Sequence, residues 1–216
     1  MQAVIFDMDG LMIDSEGIYW AVVREMARER GKSVSDETLG RMMGRAPIES
    51  VELFVREVGL TEAPADVSAE RDARVLDIIR RGIEPMPGLI QVLEDFRGRF
   101  KMAVATSARR SFVDIIFAPI GLHRFFDVIQ TSDDITRGKP DPEIYLLAMG
   151  KLGIQPQLCF VLEDSSNGSL AGVRAGAHTI AVPSQYARSQ DFSFVNYVAV
   201  DLLDAHRHIQ QVASNA

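Results

Sequence analysis

The sequence predicts an α/β protein whose core is a Rossmann-like, doubly wound parallel sheet, with an all-helical domain inserted into it. Three observations lead to this prediction. An apolar strand at residues 4–6 opens the chain, residues 15–82 show helical periodicity with almost no strand signal, and strands alternate with helices from residue 83 onward. Such alternation builds βαβ units, and these place their strands in a parallel sheet.

The first predicted strand, residues 4–6, is followed at once by Asp7, Asp9 and Gly10. Carboxylates at the C-terminal end of a parallel strand lie where open α/β sheets bind ligands. Two acids this close repel each other, so a divalent cation is their natural partner. Asp7 is a competent nucleophile, and Asp9 could serve as its acid/base partner. Taken alone, the segment fits an ordinary Asp-Gly turn equally well.

The inserted block is predicted to contain four helices, because apolar residues recur at helical spacing and a glycine follows each stretch. The predicted helices are residues 16–30, 36–43, 47–58 and 68–81. Two prolines and two glycines in residues 82–88 then give the composition of a linker. We therefore expect two domains, one of residues 1–14 with 83–216 and one of residues 15–82.

The second half of the chain alternates between the two periodicities. Its predicted strands are residues 102–106, 128–130, 159–162, 179–182 and, as a weaker pattern, 197–200. Its predicted helices are residues 89–97, 111–120, 142–150, 168–175 and 204–213.

Composition narrows the class of protein. The 216 residues carry a net charge of −7 without a cluster of lysine and arginine, which argues against nucleic acid or an anionic membrane as partner. The apolar runs are too short to span a bilayer, and a strand pattern from residue 4 leads us to expect no signal peptide. The lone Cys159 excludes an internal disulfide and a cysteine-based zinc site. We expect a cytoplasmic protein.

Polar residues also follow the later strands. The ends of parallel strands lie along one edge of a sheet, so these residues should converge with the two aspartates of the first strand. Carboxylates suit Mg²⁺, whereas hydroxyl and ammonium groups suit phosphoryl oxygens. Each group alone could be a helix cap or a surface charge, but their convergence predicts a cation and phosphate site. The residues are Thr106, Ser107, Lys139, Glu163 and Asp164.

The same residues carry a resemblance to a known family. Residues 6–16 closely resemble motif I of the haloacid dehalogenase superfamily, and in particular of its β-phosphoglucomutase-like subfamily, whose helical C1-type cap follows that motif. Thr106 is similar to the motif II hydroxyl, Lys139 to the motif III lysine, and Glu163 with Asp164 to the motif IV acids. The resemblance covers nearly the whole chain, in order, and implies that residues 15–82 are the cap and the remainder the catalytic core.

The resemblance implies a covalent phosphoryl-transfer mechanism. Asp7 would attack phosphorus and become an aspartyl-phosphate, while Asp9 would protonate the leaving alcohol and then deprotonate water. Mg²⁺ would be held by the Asp7 side chain, the Asp9 backbone carbonyl and Asp164.

The remaining residues would support that reaction. Thr106 and Lys139, with Ser107 beside them, would hold phosphoryl oxygens as charge redistributes. Glu163 would orient its neighbours from behind the metal ligands.

Asp9 favours phosphoryl chemistry on an oxygen ester, since the dehalogenases and phosphonatases of the superfamily lack this acid. In the mutases a cap histidine and a cap arginine occupy the positions of Tyr19 and Pro47 here. We therefore predict a phosphatase acting on a sugar phosphate or nucleoside monophosphate, with a β-phosphoglucomutase-type mutase as the alternative. Tyr19 and Arg45, which follows Gly44, are the candidates for contact with the leaving group.

A signalling receiver, which is a binding module switched by phosphorylation, is the alternative of another class. Receivers also combine a phosphorylated aspartate with Mg²⁺, a threonine and a lysine, but they are shorter and lack an inserted cap. We expect a small phosphorylated metabolite as the partner, and nothing in the sequence requires more than a monomer.

Overall fold

The computed structural model describes residues 1–42 and 47–215, and within them it contains one six-stranded parallel sheet. The strand order is β3-β2-β1-β4-β5-β6, with β1 at the centre. The α/β fold predicted from the sequence is therefore confirmed. The strands are β1 Ala3–Phe6, β2 Lys101–Ala105, β3 Val128–Gln130, β4 Cys159–Glu163, β5 His178–Ala181 and β6 Tyr197–Val198.

Nine α-helices occur within the described residues. They are α1 Ser15–Glu29, α2 Asp36–Met42, α3 Pro47–Val58, α4 Pro64–Arg81, α5 Leu89–Phe96, α6 Arg110–Ile120, α7 Glu143–Leu152, α8 Ser166–Arg174 and α9 Leu202–Ser214.

Three predicted helix starts, those of α4, α8 and α9, were wrong for reasons of local chemistry. Helix α9 begins two residues early because the Asp201 carboxylate accepts a hydrogen bond from the Asp204 N–H at 2.7 Å and caps it. Helix α4 begins four residues before the predicted position, because Pro64 occupies its first turn, where the missing N–H is not needed. Helix α8 begins two residues early because the Ser165 hydroxyl accepts a hydrogen bond from the Gly168 N–H at 3.2 Å and caps it. The predicted strand at 197–200 is reduced to two residues at the edge of the sheet.

The register of the central strands sets the position of the polar residues. Phe6, the last residue of β1, pairs with Val104 of β2 and with Leu162 of β4. The residues that follow these three strands therefore emerge side by side at one edge of the sheet.

Helices cover both faces of the sheet. On one face Ile5 packs with Ile144 and Ala171, which lie on α7 and α8. On the other face the ring of Phe6 meets that of Phe126, with centroids 6.0 Å apart, and Phe126 stacks on Phe117 of α6. Strands of a parallel sheet covered on both sides are largely apolar, as are the fully buried β1 and, up to its last residue Glu163, β4.

The chain divides into two compact units, residues 1–14 with 84–216 and residues 15–83. The first unit contains the sheet, and the second contains α1 to α4. The chain segments that leave and rejoin the first unit pair with each other, because the Met86 N–H donates to the Met12 carbonyl at 2.8 Å and Ile13 bridges to Pro85. None of the described helices has the length and apolarity needed to cross a membrane.

Candidate active site at the carboxyl edge of the sheet

Asp7 is the first residue beyond β1 and is 6% exposed. Its N–H donates to the Leu162 carbonyl at 3.0 Å, so the backbone remains tied to β4 where the carboxylate emerges. The chain then turns at Gly10, whose φ of +77° is in the left-handed region. A side chain at Gly10 would overlap the Asp164 carboxylate, so glycine lets this turn lie directly against Asp164.

The Lys139 ammonium lies at the centre of the site. Its Nζ donates to Asp7 Oδ1 at 2.5 Å, to Glu163 Oε1 at 2.7 Å and to the Ala105 carbonyl at 3.0 Å. Three acceptors match the three N–H donors of an ammonium group. Burial by itself would lower the pKa of Lys139, but the carboxylates of Asp7 and Glu163 outweigh it and raise that pKa well above its usual value. Lys139 is therefore a buried, charged lysine.

Glu163 is 1% exposed, and donors surround both of its oxygens. Besides Lys139, Oε1 accepts from the Tyr145 hydroxyl at 2.8 Å. Oε2 accepts from the Ser165 N–H at 3.2 Å and from the Ser165 hydroxyl at 3.0 Å. A side chain at Gly168 would overlap this carboxylate, so the first turn of α8 also shapes its pocket. Glu163 is thereby fixed in one orientation.

Tyr145 is the residue that sequence reasoning missed. It lies in the first turns of α7, fully buried, with its ring centroid 5.0 Å from the Lys139 ammonium. Burial, together with the Glu163 carboxylate, raises the pKa of Tyr145 well above its usual value, so its hydroxyl remains a donor. A tyrosine among the apolar residues of α7 indicates a buried polar partner, but the sequence does not identify that partner.

Three carboxylates form an acidic cluster that could hold a metal ion. Asp7, Glu163 and Asp164 are all buried, and each offers an oxygen within 4.8 Å of the others. Burial raises the pKa of Asp7; Lys139 opposes the rise, whereas Glu163 and Asp9 add to it. A divalent cation would relieve this accumulation of negative charge, and oxygen ligands are those that Mg²⁺ prefers. The residues present therefore fit such an ion.

Asp9 contacts Thr106, the residue that directly follows the neighbouring strand β2. Thr106 is fully buried, and its hydroxyl donates to Asp9 Oδ2 at 3.2 Å while it accepts from the Ala108 N–H at 3.0 Å. The Asp9 side chain is not one of the three carboxylates of the acidic cluster. The next residue, Ser107, is exposed on the following loop.

The cap candidates from the sequence belong to the other unit. Tyr19 lies on α1, where its ring centroid is 5.4 Å from the guanidinium carbon of the buried Arg71. Arg71 also donates twice to Asp72, at 2.9 and 2.7 Å. Arg45, the second candidate, lies outside the described residues, as does Gly44.

Comparison with known proteins gives one consistent result. The family model described as haloacid dehalogenase-like hydrolase matches residues 4–182. The phosphorylated carbohydrates phosphatase of Thermotoga maritima is 31% identical over 83% of this chain and 84% of that protein. Hexitol phosphatase A of Escherichia coli is 33% identical over 82% of this chain and 81% of that protein. Both similarities extend across most of the chain.

A solved structure gives the same result for the fold. CbbY from Rhodobacter sphaeroides in complex with phosphate has a TM-score of 0.78 and 25% identity to this chain. The match covers 93% of this chain and 94% of that one, and it therefore includes both the helical unit and the sheet unit.

Proposed function

Because this chain belongs to the haloacid dehalogenase-like hydrolase family, we propose that it is a Mg²⁺-dependent phosphatase that acts on a small phosphorylated metabolite. The observation that supports this most directly is the Lys139 ammonium between Asp7 and Glu163, beside a cluster of acids that fits a cation. Two relatives are named for phosphorylated carbohydrates and hexitol phosphates, so a sugar or polyol phosphate is the favoured substrate and a nucleoside monophosphate the second choice.

Asp7 is proposed as the nucleophile. Its oxygen would form a bond to phosphorus as the bond from phosphorus to the leaving alcohol breaks, giving an aspartyl-phosphate. Asp9 would give its proton to the departing alcohol oxygen and later take one from the water that cleaves the intermediate. The Thr106 hydroxyl, which donates to Asp9 Oδ2 at 3.2 Å, would hold that carboxyl in position until substrate binds, and would then turn to a phosphoryl oxygen.

Lys139 and Thr106 are proposed to bind phosphoryl oxygens, and Ser107 to assist from the adjoining loop. Lys139 contacts Asp7 directly, so its charge would favour the ionised nucleophile before the substrate arrives. Its positive charge would then also offset the negative charge that grows on the transferred group.

The side chains of Asp7 and Asp164 and the carbonyl of Asp9 are proposed to hold Mg²⁺. When bound, that ion would offset the negative charge of the phosphoryl group beside the carboxylates. Glu163 also belongs to the acidic cluster, but its oxygens already accept from Lys139, Tyr145 and Ser165. We therefore assign Glu163 to positioning Lys139, with no contact to the ion.

The residues 1–14 with 83–216 are proposed to form the catalytic core, and residues 15–82 a cap that selects the leaving group. Tyr19 and Arg45 remain the residues proposed for that selection. The mutase alternative requires a second phosphate site and protection of the aspartyl-phosphate from water. Tyr19 and Pro47 stand in the two positions that the family resemblance connects with those tasks.

Assay of the purified protein against a panel of phosphorylated metabolites tests this function. We expect release of inorganic phosphate from sugar or polyol phosphates with Mg²⁺, none in EDTA, and recovery when Mg²⁺ is restored. Conversion of β-glucose 1-phosphate to glucose 6-phosphate without phosphate release would instead establish a mutase. Stoichiometric phosphorylation without turnover of p-nitrophenyl phosphate would establish a receiver-like switch, and full activity in EDTA would rule out the metal.

A further inference from the structure

Lys139 reaches the site from a short loop, residues 136–142, that leads into α7. We propose that Glu143, assisted by Arg174, is a positioning residue that closes this loop and so fixes the Lys139 ammonium between Asp7 and Glu163. The catalytic part of this inference rests on the proposed phosphatase function, whereas the structural part rests on contacts within the loop.

Glu143, the first residue of α7, ties the helix back to the start of the loop. Its Oε1 accepts from the Thr136 N–H at 2.9 Å, and its Oε2 accepts from the Arg137 N–H at 2.9 Å and from the Thr136 hydroxyl at 2.9 Å. The Glu143 N–H donates to Asp141 Oδ1 at 3.0 Å. The carboxylate thus bonds the residues six and seven positions before it and converts the open segment into a closed loop.

A second contact holds the loop beside the lysine itself. Arg174, at the end of α8, donates from Nη1 to the Pro140 carbonyl at 3.0 Å. Pro140 is the residue directly after Lys139, so this contact fixes the backbone on the C-terminal side of the lysine. Helix α8 also begins just after Glu163 and Asp164, and it therefore connects the loop to the acids that the lysine approaches.

The position of the loop matters because the lysine has little freedom. Its side chain is 8% exposed, and its ammonium meets three acceptors between 2.5 and 3.0 Å. Displacement of a catalytic group by about 1 Å can cost on the order of 10²-fold in rate. Neither Glu143 nor Arg174 needs to touch substrate to have such an effect, because both act through the backbone that carries Lys139.

The variant Glu143→Gln tests the proposal with almost no change in shape. Its amide N–H₂ would face either the Thr136 or the Arg137 N–H, which replaces an acceptor by a donor. Glu94→Gln is the matched control. Glu94 is a half-exposed glutamate on α5, away from the Lys139 loop, and it pairs with Arg124 at 3.3 Å. Turnover of p-nitrophenyl phosphate, thermal midpoint, and affinity for inorganic phosphate in an Asp7→Asn background should be measured for both.

We expect Glu143→Gln to lose about tenfold or more in kcat/KM and in phosphate affinity, with a thermal midpoint close to that of the wild type. Glu94→Gln should stay within about twofold on every measure. In a Lys139→Ala background, Glu143→Gln should not weaken phosphate binding further, because the effect passes through the lysine.

Phosphate affinity of Glu143→Gln within twofold of its parent would overturn the proposal, and so would an equal loss with Lys139 absent. Should Glu143→Gln fold poorly, Arg174→Met tests the loop from its other side and should weaken phosphate binding about threefold or more. If the wild type hydrolyses no ester, the proposed function fails, while the comparison of phosphate affinities still judges the loop.

Discussion

Two networks of ion pairs in this molecule have similar N–O distances but differ in their exposure to water. At the sheet edge, Lys139 pairs with Asp7 at 2.5 Å and with Glu163 at 2.7 Å, and none of these side chains is more than 8% exposed. Burial of a charge carries a large desolvation penalty, and attraction to partner charges offsets it only when the geometry is favourable. A buried network of this kind adds little net stability, so its presence is better explained by the proposed catalytic role of its residues.

The other network joins α1 to α4 in the helical unit. Arg30 pairs with Glu62 at 2.7 Å and with Glu70 at 2.6 Å, and Arg74 pairs with Glu70 and Glu29, both at 2.6 Å. These side chains are between 21% and 42% exposed, so water screens them. Exposed pairs of this kind contribute little each. The comparison teaches that burial, and not distance, distinguishes the ion pairs of the proposed active site from those at the surface.

The largest expected effect comes from Asp7→Asn, which keeps the shape of the buried network and removes the proposed nucleophile. Turnover should fall by on the order of 10³-fold or more. Stability should stay equal or rise, because the amide relieves the repulsion from Glu163 and the cost of burying a charge. Steady-state assays and urea unfolding of the variant measure both quantities. Near-normal turnover would remove Asp7 as the nucleophile.

Lys139→Met should damage stability as well as activity. The substitution leaves the buried carboxylates of Asp7 and Glu163 without their cation, at an expected cost of about 3 kcal/mol in the free energy of unfolding. Turnover should fall about 10²–10³-fold, as on loss of a transition-state donor. Urea titration and kcat/KM report these two effects. A variant as stable as the wild type would show that the buried network is not held by this charge.

Tyr145→Phe sharpens the comparison at the rim of the buried network. It keeps the ring beside Lys139 and removes one donor from Glu163 Oε1, which retains its bond from Lys139. We expect a loss of about 1.5 kcal/mol in unfolding free energy and less than about tenfold in kcat/KM. The same urea and kinetic measurements apply, and a loss in kcat/KM comparable to that of Lys139→Met would mean that Tyr145 takes part in the reaction.

Arg74→Met should have the smallest effect. It should lower the free energy of unfolding by less than about 1 kcal/mol, and 0.5 M salt should reduce this loss further. The hydrogen bond from Arg30, with the charges of Arg30 and Arg74, lowers the pKa of Glu70 below its ordinary value of 4.5. The stability that Glu70 contributes is therefore present above pH 4.5 and is lost as the pH falls through its lowered pKa. The difference between wild type and variant should shrink over that acidic range in chemical denaturation.

The two networks were not equally predictable from the sequence. Asp7 follows β1, while Glu163 ends β4 and Asp164 follows it. Parallel strand ends share one edge, so the approach of these acids to Lys139 follows from topology. The pairs of Arg30 and Arg74 depend on the rotation and offset of α1 against α4, which helical periodicity leaves open.

Within the site, the sequence did not predict which contacts would hold the charged groups in position. Periodicity placed Tyr145 on a helix but did not say that its hydroxyl would meet Glu163. Adjacency in the sequence pairs Ser107 with Thr106, yet Thr106 is buried and Ser107 is exposed. The Thr106 N–H still bonds to the Gln130 carbonyl of β3 at 3.1 Å, whereas Ser107 lies on the loop beyond. Backbone caps such as that of Glu143 on the Lys139 loop depend on a fold of the loop that no pattern in the sequence specifies.

The paired linker segments have a consequence for evolution and engineering. Met86 bonds to Met12, and Ile13 bridges to Pro85, so the helical segment begins and ends at neighbouring points. Contacts within the sheet unit thus hold the two ends of the inserted segment together. A change in the length of the insertion therefore alters the entropy of loop closure only slightly. We therefore expect that residues 15–83 can be exchanged as one segment, and that chimaeras that carry the helical segment of a relative will fold without redesign of the two junctions.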